Sequence, residues 1–489
     1  MASSESPFYF DEIHQFEEGS IPSSGVTTGT ASRTSLHQIE DAPYSIPGSI
    51  SDSTRYLVFD EKQSSTSTPS TPTTAEPAKE RRRISLSEEG DDNVRLNGGF
   101  TAWSQVFVSF LLFINGFGYF SSFGLFQSHW VDVLGSSVDD VAWVGSISLF
   151  LLFFLGSLSG PLMDRGYFRS IVAVGCAFQI LGAFTTSAVT RYWQLILAQG
   201  VVQGIGNGLV FTPSITLVSV YFTKNRAFAF SLAACGAPVG GIIFPLIARQ
   251  LTPTIGYPWT IRVFGFIMVF NSALILLLGR PRRFKSEPRP MFDPAAFRES
   301  VYATYSIGIF FTLWGLYIAY FYTATFGRSV IGFSSEDSLT LLIVLNAVGT
   351  LGRIIPAYIA DRYLGPFNTL VPAVLCCAIM MLSWMGVHSS GGFYAFISLY
   401  GFFSNSAQAL VPMTSASMAT HPSNVGQRVG MVFSVGSLAC LTGPPLAGVL
   451  LGVGHGSYQW MQLYGGVSIL IGFTLLTLSR SLQARKAST

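Results

Sequence analysis

Apolar segments of helical length follow one another from residue 97 onwards, and short polar gaps separate them. The apolar core of a bilayer is about 30 Å thick, so a helix needs about 20 apolar residues to cross it. We therefore expect an all-α polytopic membrane protein. The pattern predicts twelve transmembrane helices, near residues 104–128, 140–162, 168–188, 193–217, 227–249, 259–279, 301–325, 338–360, 369–387, 392–413, 428–451 and 458–479.

The composition supports a chain that lies mostly in lipid. Hydrophobic residues make up 49% of the 489 residues and charged residues only 11%, whereas soluble domains average about 25% charged residues. The formal net charge of +2 gives no reason to expect a nucleic-acid partner. All five cysteines fall in predicted helices, where they indicate apolar packing rather than disulfides or a metal site. We expect a monomer whose partners are a small-molecule substrate and the lipid bilayer, with no cofactor.

Lysine and arginine concentrate in alternate loops, on the side that also carries both termini. Because basic loops stay in the cytosol, this pattern predicts that both termini are cytosolic. We expect a plasma-membrane protein, with the vacuole or another endomembrane as the alternative. The basic loop residues include Arg165, Arg169, Lys224, Arg226, Arg280, Arg362 and Arg480.

The first 95 residues are rich in Ser, Thr and Pro and cannot bury enough apolar surface to fold. Within them, three arginines at 81–83 precede Ser85. This order favours phosphorylation of Ser85 by a basophilic kinase, and a solvated charge run beside the membrane is the alternative. We predict a disordered cytosolic tail over 1–95, a six-helix bundle over 96–279, a cytosolic linker over 280–299, a second six-helix bundle over 300–480 and a cytosolic C-terminal tail over 481–489.

Two short sequences recur in the second half of the chain at nearly the same separation. The Asp-Arg pair that begins at Asp164 reappears at Asp361, and 361 − 164 = 197. The segment that begins at Arg226 resembles the one that begins at Arg428, and 428 − 226 = 202. Two repeats at one spacing predict two pseudo-symmetric six-helix bundles with a binding site between them.

One cation interrupts the eighth predicted helix. Arg353 lies eight residues before Asp361, about 12 Å along a helix and therefore well below the headgroups. Helical spacing places Asn346, Thr350 and Arg353 on one face. A charge within a membrane helix normally faces a bundle interior or a wet cavity, where it can bind an anion. The alternative is a structural arginine bonded to helix-end carbonyls or to a carboxylate of another helix.

The loop after the second predicted helix resembles the signature cytosolic loop of the major facilitator superfamily. In that loop's pattern, Gly-x-Leu-x-Asp-Arg-x-Gly-Arg, this chain has Gly160, Leu162, Asp164, Arg165 and Arg169, with the second Gly shifted to Gly166. The resemblance implies the major facilitator fold and a charge cluster that closes the cytosolic side in one state. The gating residues that we assign on this basis are Gly160, Asp164, Arg165, Arg169, Asp361 and Arg362.

Two further segments are similar to monocarboxylate-transporter-like members, especially the fungal ones. They are NGGFTAW at residues 97–103 and the run Leu351-Gly352-Arg353, and the resemblance covers about residues 97–480. In that family the arginine of helix 8 is tied to the substrate carboxylate, which implies the same role for Arg353. The animal lactate carriers place an Asp one turn before this arginine, where this chain has Gly349.

Helices 1, 4, 7 and 10 line the cavity in this superfamily, and each carries polar or aromatic residues here. For each amide, hydrogen bonding between helices is the alternative to substrate binding. The aromatic residues suggest a substrate larger than lactate. With Arg353, the candidate substrate-binding residues are Asn115, Tyr119, Asn207, Tyr317, Tyr320, Asn346, Asn405 and Gln408.

Apart from Asp140, the first residue of the second predicted helix, no Asp or Glu lies within any predicted span, whereas proton symport usually relies on a buried carboxylate. The sequence therefore predicts a secondary transporter that moves a small carboxylate-bearing or aromatic metabolite by alternating access, as a uniporter or with the substrate's own proton. A nutrient receptor with the same fold, which signals through the N-terminal tail, is the alternative. We expect no enzyme, because the spans contain no acid–base pair and the chain has no Gly-x-x-x-x-Gly-Lys-Ser/Thr loop.

Overall fold

The computed structural model describes residues 98–164, 166–222, 225–280, 294–419 and 425–488. These residues form twelve long helices, so the predicted all-α polytopic class is confirmed. The tail over residues 1–95 with Ser85, most of the linker, and Arg165 lie outside the described residues, as does the side chain of Asp164.

The helices alternate in direction along the chain, and short connections separate them. The first six are α1 (Phe100–Ser121, continued after Ser122 by Phe123–Leu134), α2 (Val138–Asp164), α3 (Phe168–Thr186), α4 (Tyr192–Tyr221), α5 (Arg226–Ile255) and α6 (Tyr257–Leu278). The last six are α7 (Ser300–Ile331), α8 (Ser335–Ile359, continued by the π-helical turn Ala360–Leu364), α9 (Pro366–Gly386), α10 (Ser390–Ser417), α11 (Val425–Val453) and α12 (Gln459–Ser488). A 3-10 helix, Pro294–Arg298, precedes α7.

The last helix continues through the segment that the sequence analysis assigned to a C-terminal tail. Residues 480–488 contain no Gly or Pro that would stop it. Arg485 and Lys486 lie in its last turn, where cations interact favourably with the helix dipole.

Eleven of the described helices are long and apolar enough to cross a membrane. The remaining long helix, α10, has 28 residues, which is also sufficient length, but its middle is polar. It carries Ser404, Asn405, Ser406 and Gln408 within two turns. Unpaired polar groups are costly in hydrocarbon, so this face of α10 has to find hydrogen-bond partners inside the bundle.

Local chemistry sets the helix boundaries. Gly365 separates α8 from α9 with a φ of 78°, a conformation that side chains disfavour. Pro366 follows in the first turn of α9, where a missing N–H leaves no hydrogen bond unmade. At the start of α8, Oγ of Ser334 accepts a hydrogen bond from the backbone N–H of Asp337 (3.1 Å), which is an N-cap.

Two helix pairs join the first six helices to the last six: α2 packs along α11, and α5 packs along α8. The extension of α1 beyond Ser122 also packs against α7. The α2–α11 and α5–α8 contacts are reciprocal: the second helix of each half packs along the fifth helix of the other, as a two-fold repeat requires. We call the end of the bundle that carries Arg169, Arg226, Arg280 and Arg362 the basic face, and the other end the opposite face.

Glycine allows α1 and α5 to cross closely. A Cβ built on Gly118 would lie 2.7 Å from Cα of Gly240, and a Cβ on Gly240 would lie 2.6 Å from Cα of Gly118. Any larger residue at either position would have to push the two helices apart. Small residues at such crossings are a general device for helix packing in membranes.

We expect Gly240→Ala to destabilise the protein by about 1–3 kcal/mol, the usual effect of overpacking. Thermal unfolding of the detergent-purified protein measures the change. Gly452→Ala on α11 is the matched control, because nothing lies within 4 Å of its added Cβ. In a helix this control change is neutral or stabilises by up to about 1 kcal/mol. Equal effects of the two substitutions would contradict the close crossing.

Candidate functional site

Arg353 lies on the buried face of α8. Its relative exposure is 5%, and those of Asn346 and Ala357 on the same face are 1% and 0%. Leu351 and Ile355, on the other face, are 53% and 44% exposed. The helix therefore has the one-sided pattern that helical spacing predicts, with its cation inward and its aliphatic residues outward.

Two amide side chains of α10 hold the guanidinium. Nε of Arg353 donates a hydrogen bond to Oδ1 of Asn405 (2.9 Å), and Nη2 donates to Oε1 of Gln408 (3.3 Å). Asn405 and Gln408 are three residues apart, so they share one face of α10. Neutral dipoles from a neighbouring helix thus fix the position of the charge.

Tyr320 of α7 connects the two amides. Its hydroxyl accepts hydrogen bonds from Nδ2 of Asn405 and Nε2 of Gln408, both at 3.0 Å, and lies 2.9 Å from Oγ of Ser404. A phenol has two lone pairs and one proton, so the two accepted bonds leave its proton for Ser404. This arrangement turns both amide oxygens towards Arg353. The structure therefore brings four of the predicted residues into one hydrogen-bonded network.

The network contains no carboxylate. Within the described part of the chain, Arg353 forms no ion pair. A guanidinium has five N–H groups, of which Asn405 and Gln408 use two. No described residue accepts a hydrogen bond from the other three, and Arg353 lines a central cavity. The site offers a positive charge and unused donors to a bound molecule.

Phenylalanine is the most frequent residue type in the cavity wall. Phe153 of α2 and Phe433 of α11 stack across the interface between the halves, with ring centroids 5.0 Å apart and planes at 15°. The cavity volume is about 30 Å³, which holds about two water molecules. In this conformation the cavity is too small for an organic metabolite. Its aromatic and polar lining residues include Phe113, Phe117, Phe153, Phe211, Phe230, Phe433, Tyr317, Arg353 and Gln408.

Two of the predicted amides join helices within the first half. Oδ1 of Asn115 accepts a hydrogen bond from Nδ2 of Asn271 on α6 (2.8 Å). Oδ1 of Asn207 accepts one from Nε2 of Gln179 on α3 (2.8 Å). Neither amide is among the residues that line the central cavity, so the structure places both in contacts between helices.

Two further predicted residues also lie away from the cavity wall. The ring of Tyr119 packs against Phe126 and Phe244, with centroids 4.7 and 5.9 Å away, inside the first half. Nδ2 of Asn346 donates to the carbonyl of Leu342, one turn earlier in α8 (2.8 Å), where α8 passes α5. Of the residues predicted to bind substrate, those that line the cavity are Tyr317 of α7, Arg353 of α8 and Gln408 of α10, all in the second half.

Aromatic rings close the route from the cavity to the opposite face. Phe120 and Phe123 of α1 meet Phe321 of α7, with ring centroids 5.9 and 4.8 Å apart. Closer to that face, Arg328 and Asp132 form an ion pair at 3.6 Å. Exposed ion pairs contribute at most about 1 kcal/mol, so the rings provide the main closure.

At the basic face, a carboxylate of the second half caps a helix of the first. The oxygens of Asp361 accept hydrogen bonds from the backbone N–H groups of Ala227 (3.3 Å) and Phe228 (2.8 Å), in the first turn of α5. The contact is favourable because the N-terminus of a helix carries unpaired N–H groups and a positive partial charge. Arg169 and Arg362, also predicted for the gate, are exposed.

The gate residues of the first half are described only in part. Gly160 on α2 faces Thr212 of α4, and a Cβ on it would lie 3.2 Å from Cγ2 of Thr212. The side chain of Asp164 and all of Arg165 lie outside the described residues. The assignment of Asp164 and Arg165 to the gate therefore stays a prediction.

The sequence profile of the Major Facilitator Superfamily matches residues 108–421, more than half of the chain. The chain belongs to the Major Facilitator Superfamily. It is therefore an integral, multi-pass membrane protein, and its role is secondary transport.

Several fungal transporters are similar to this superfamily member. An MFS-type transporter of Gibberella zeae is 34% identical over 386 residues, which are 78% of this chain and 87% of the relative. The aspyridones efflux protein of Emericella nidulans is 31% identical over 382 residues, 78% of this chain and 77% of the relative. The riboflavin transporter of Saccharomyces cerevisiae is 30% identical over 427 residues, 81% of each chain.

The phenylalanine wall of this Major Facilitator Superfamily protein was missed by the sequence reasoning. The chain has 41 phenylalanines. Helical spacing does not distinguish those that face lipid from those that face the core or the cavity. The pair Phe113 and Phe117, four residues apart, indicates one common face of α1. The stack of Phe153 on Phe433 joins positions 280 residues apart, and no local pattern signals it.

We expect Tyr320→Phe to destabilise the protein by about 1–3 kcal/mol, because the amide N–H groups of Asn405 and Gln408 lose their buried acceptor. Tyr400→Phe is the control: Tyr400 is equally enclosed, but its hydroxyl makes one bond, to the carbonyl of Leu316 (2.6 Å). Tyr400→Phe should lower the free energy of unfolding by less, about 1 kcal/mol. Thermal unfolding compares the two variants, and a larger loss for Tyr400→Phe would contradict the central role of Tyr320.

Proposed function

We propose that this protein moves a small organic metabolite, with a carboxylate or another electron-rich group, by alternating access. The observation that carries the proposal is the guanidinium of Arg353, which is buried between the halves with three N–H groups that no described residue accepts. By the positive-inside rule, the basic face and both termini lie in the cytosol. We place the protein in the plasma membrane as a monomer.

Electrostatics favours an anionic group on the substrate. An arginine at the centre of a membrane helix costs at least about 2.5–3.5 kcal/mol. Asn405 and Gln408 replace part of the lost hydration by hydrogen bonds, but they leave the charge uncompensated. A carboxylate can accept parallel hydrogen bonds from a guanidinium and neutralise it at the same time. The resemblance to monocarboxylate carriers implies the same role for Arg353.

The phenylalanine wall favours a substrate with a planar apolar body. Small-molecule sites typically combine apolar walls, which bury the ligand, with a few polar groups, which orient it. Stacking of aromatic rings contributes about 0.5–1.5 kcal/mol beyond the burial of area. Tyr317 and Gln408 complete the contacts around Arg353. The relatives named for aspyridones efflux and riboflavin transport support a substrate larger than lactate.

For the substrate to enter the central cavity, the rings at the interface between the halves have to separate. Phe153 and Phe433 stack across the halves on α2 and α11, and the cavity beside them is too small for a metabolite. A rocking of the halves would separate the two rings and enlarge the cavity. On the basic face, the hydrogen bonds of Asp361 to α5 would control this movement, since they join the two halves. Arg362, Gly160, Asp164, Arg165 and Arg169 complete the proposed gate.

We propose uniport, or transport with the substrate's own proton. The described residues that line the central cavity include no Asp, Glu or His. A proton relay through the membrane normally uses such groups. Arg353 cannot take this role, since a guanidinium stays protonated in proteins.

Arg353→Gln should reduce uptake about a hundredfold, because the substrate loses a buried charged partner. A thermal-stability screen of purified protein against aliphatic carboxylates, aromatic carboxylates and riboflavin selects the compound for uptake into proteoliposomes. Arg353→Lys should recover part of the activity, since the charge stays but the planar donor geometry is lost.

Arg280→Gln is the control for this test, because its side chain is an exposed cation at the basic face. The control should transport as the unchanged protein does, and all three variants should unfold at similar temperatures. Normal uptake by folded Arg353→Gln would reject the assignment.

Uptake of an aromatic sulfonate, which stays ionised, should change less than about twofold between about pH 5.5 and 7.5, the range in which histidine titrates. The reason is that no titratable group of the cavity carries a proton with the substrate. With the membrane potential clamped, a protonophore should likewise leave the rate unchanged. Accumulation of the sulfonate against its gradient, driven by a proton gradient, would contradict uniport.

A further inference from the structure

A second cavity opens between the central cavity and the basic face, and we call it the vestibule. Its volume is about 210 Å³, several times that of the central cavity and enough for a small organic anion. The ends of α4, α5, α8, α10 and α11 surround it. Described residues of both halves line it, among them Arg226, Phe230, Asp361 and Ser417.

Arg226 is the cationic residue among the described residues that line the vestibule. It is the first residue of α5, and its side chain is half-buried. Within the described part of the chain it has no hydrogen-bond or ion-pair partner. Unlike the exposed Arg169 and Arg362 nearby, this guanidinium is held partly out of water with its donors unused.

The guanidinium of Arg226 is the main hydrogen-bond donor of the vestibule, because the hydroxyl groups there already use their protons. The hydroxyls of Thr216, Ser219 and Ser417 donate to carbonyls of their own helices, at 2.8, 3.1 and 2.7 Å. A hydroxyl has one proton, so these groups can only accept from a ligand. An anion in the vestibule therefore finds its donors at Arg226.

Asp361 lines the same space but does not neutralise Arg226. Its two carboxylate oxygens accept the backbone N–H groups of Ala227 and Phe228, and it forms no ion pair with Arg226. Its negative charge is matched instead by the positive end of the α5 dipole. The cation and the capped carboxylate thus act as separate groups on one wall.

A short partition separates the vestibule from the central cavity. Ile215, Phe230 and Pro412 line both spaces. Phe230 lies four residues after Arg226 on α5, about 6 Å along the helix and on the same face. Its ring packs edge-on against Phe113, with centroids 6.0 Å apart. A molecule that passes from the vestibule to Arg353 has to displace this ring.

We propose that the vestibule is a second binding site, in which Arg226 holds a small organic carboxylate or sulfonate at the basic face. The anion then passes the partition of Ile215, Phe230 and Pro412 to reach Arg353. The order of the two sites rests on the proposed function, whereas binding at Arg226 does not. The vestibule collects the anion, and Arg353 then holds it between the halves.

A cysteine in the vestibule tests the site without knowledge of the natural substrate. Ser417→Cys supplies the reporter, in a full-length chain with Cys376→Ser, since the other four native cysteines are buried. Its labelling rate is measured with sulfonatoethyl methanethiosulfonate, an anion, and with trimethylammonioethyl methanethiosulfonate, a cation. The rates with free 2-mercaptoethanol in solution are the reference, because no protein charge acts on them.

The ratio of the anionic to the cationic rate should be higher at Ser417→Cys than with free 2-mercaptoethanol. Arg226→Gln should lower the ratio at the vestibule about five- to tenfold, as expected for one unit charge at close range. Arg226→Lys should keep it, and Arg280→Gln should leave it unchanged. Equal ratios for Ser417→Cys and for 2-mercaptoethanol would overturn the proposal even if Arg226→Gln failed to fold, and so would a folded Arg226→Gln with an unchanged ratio.

Protection by benzoate separates the two sites. Benzoate, but not neutral benzamide, should slow labelling of Ser417→Cys, and this protection should persist in Arg353→Gln and vanish in Arg226→Gln. Protection that vanishes in Arg353→Gln would show a single central site and overturn the proposal. Normal transport by Arg353→Gln would reject the proposed function, but it would leave the labelling result at Arg226 intact.

Discussion

The guanidinium of Arg353 is held inside the bundle by neutral dipoles rather than by an opposite charge. Asn405 and Gln408 accept its hydrogen bonds, and Tyr320 orients both amides. A carboxylate in their place would form a buried ion pair, which removes the charge from reach and is strongly destabilised when one partner is lost. The amide oxygens accept hydrogen bonds from the guanidinium but carry no net charge, so the positive potential of Arg353 remains in the cavity.

This arrangement requires α8 and α10 to lie very close together. A Cβ on Gly349 would lie 2.7 Å from Cγ of Asn405, and a Cβ on Gly352 would lie 2.9 Å from Cα of Phe402. The space beside Gly349 is filled by the side chain of Asn405. Because Gly349 has no side chain, Asn405 can approach α8 closely enough to bind the guanidinium.

The two ends of the bundle are closed by different kinds of contact. At the opposite face, rings such as Phe123 and Phe321 exclude water by contact alone. At the basic face, Asp361 binds the first turn of α5 through backbone N–H groups. Ring contacts are non-directional, whereas a helix cap depends on direction and charge. The two closures therefore respond to different changes: the first to packing, the second to the electrostatics of the basic face.

Sequence alone determined the properties that depend on local spacing and on the low polarity of lipid. The twelve helices follow from runs of apolar residues, and the inward face of α8 follows from the period of the helix, because a charge such as Arg353 is excluded from hydrocarbon. The resemblance to the superfamily, in which helices 1, 4, 7 and 10 line the cavity, added Tyr320, Asn405 and Gln408 as candidates.

Only the tertiary structure decided which partners these are. Asn115 and Asn207 carry the same amide as Asn405, yet they join helices of the first half, because position in the bundle rather than residue type determines what an amide meets. The stack of Phe153 on Phe433 and the isolation of Arg226 in the vestibule likewise depend on how distant helices pack. Helical periodicity contains no information about such contacts, since it fixes the direction of a side chain but not what lies in that direction.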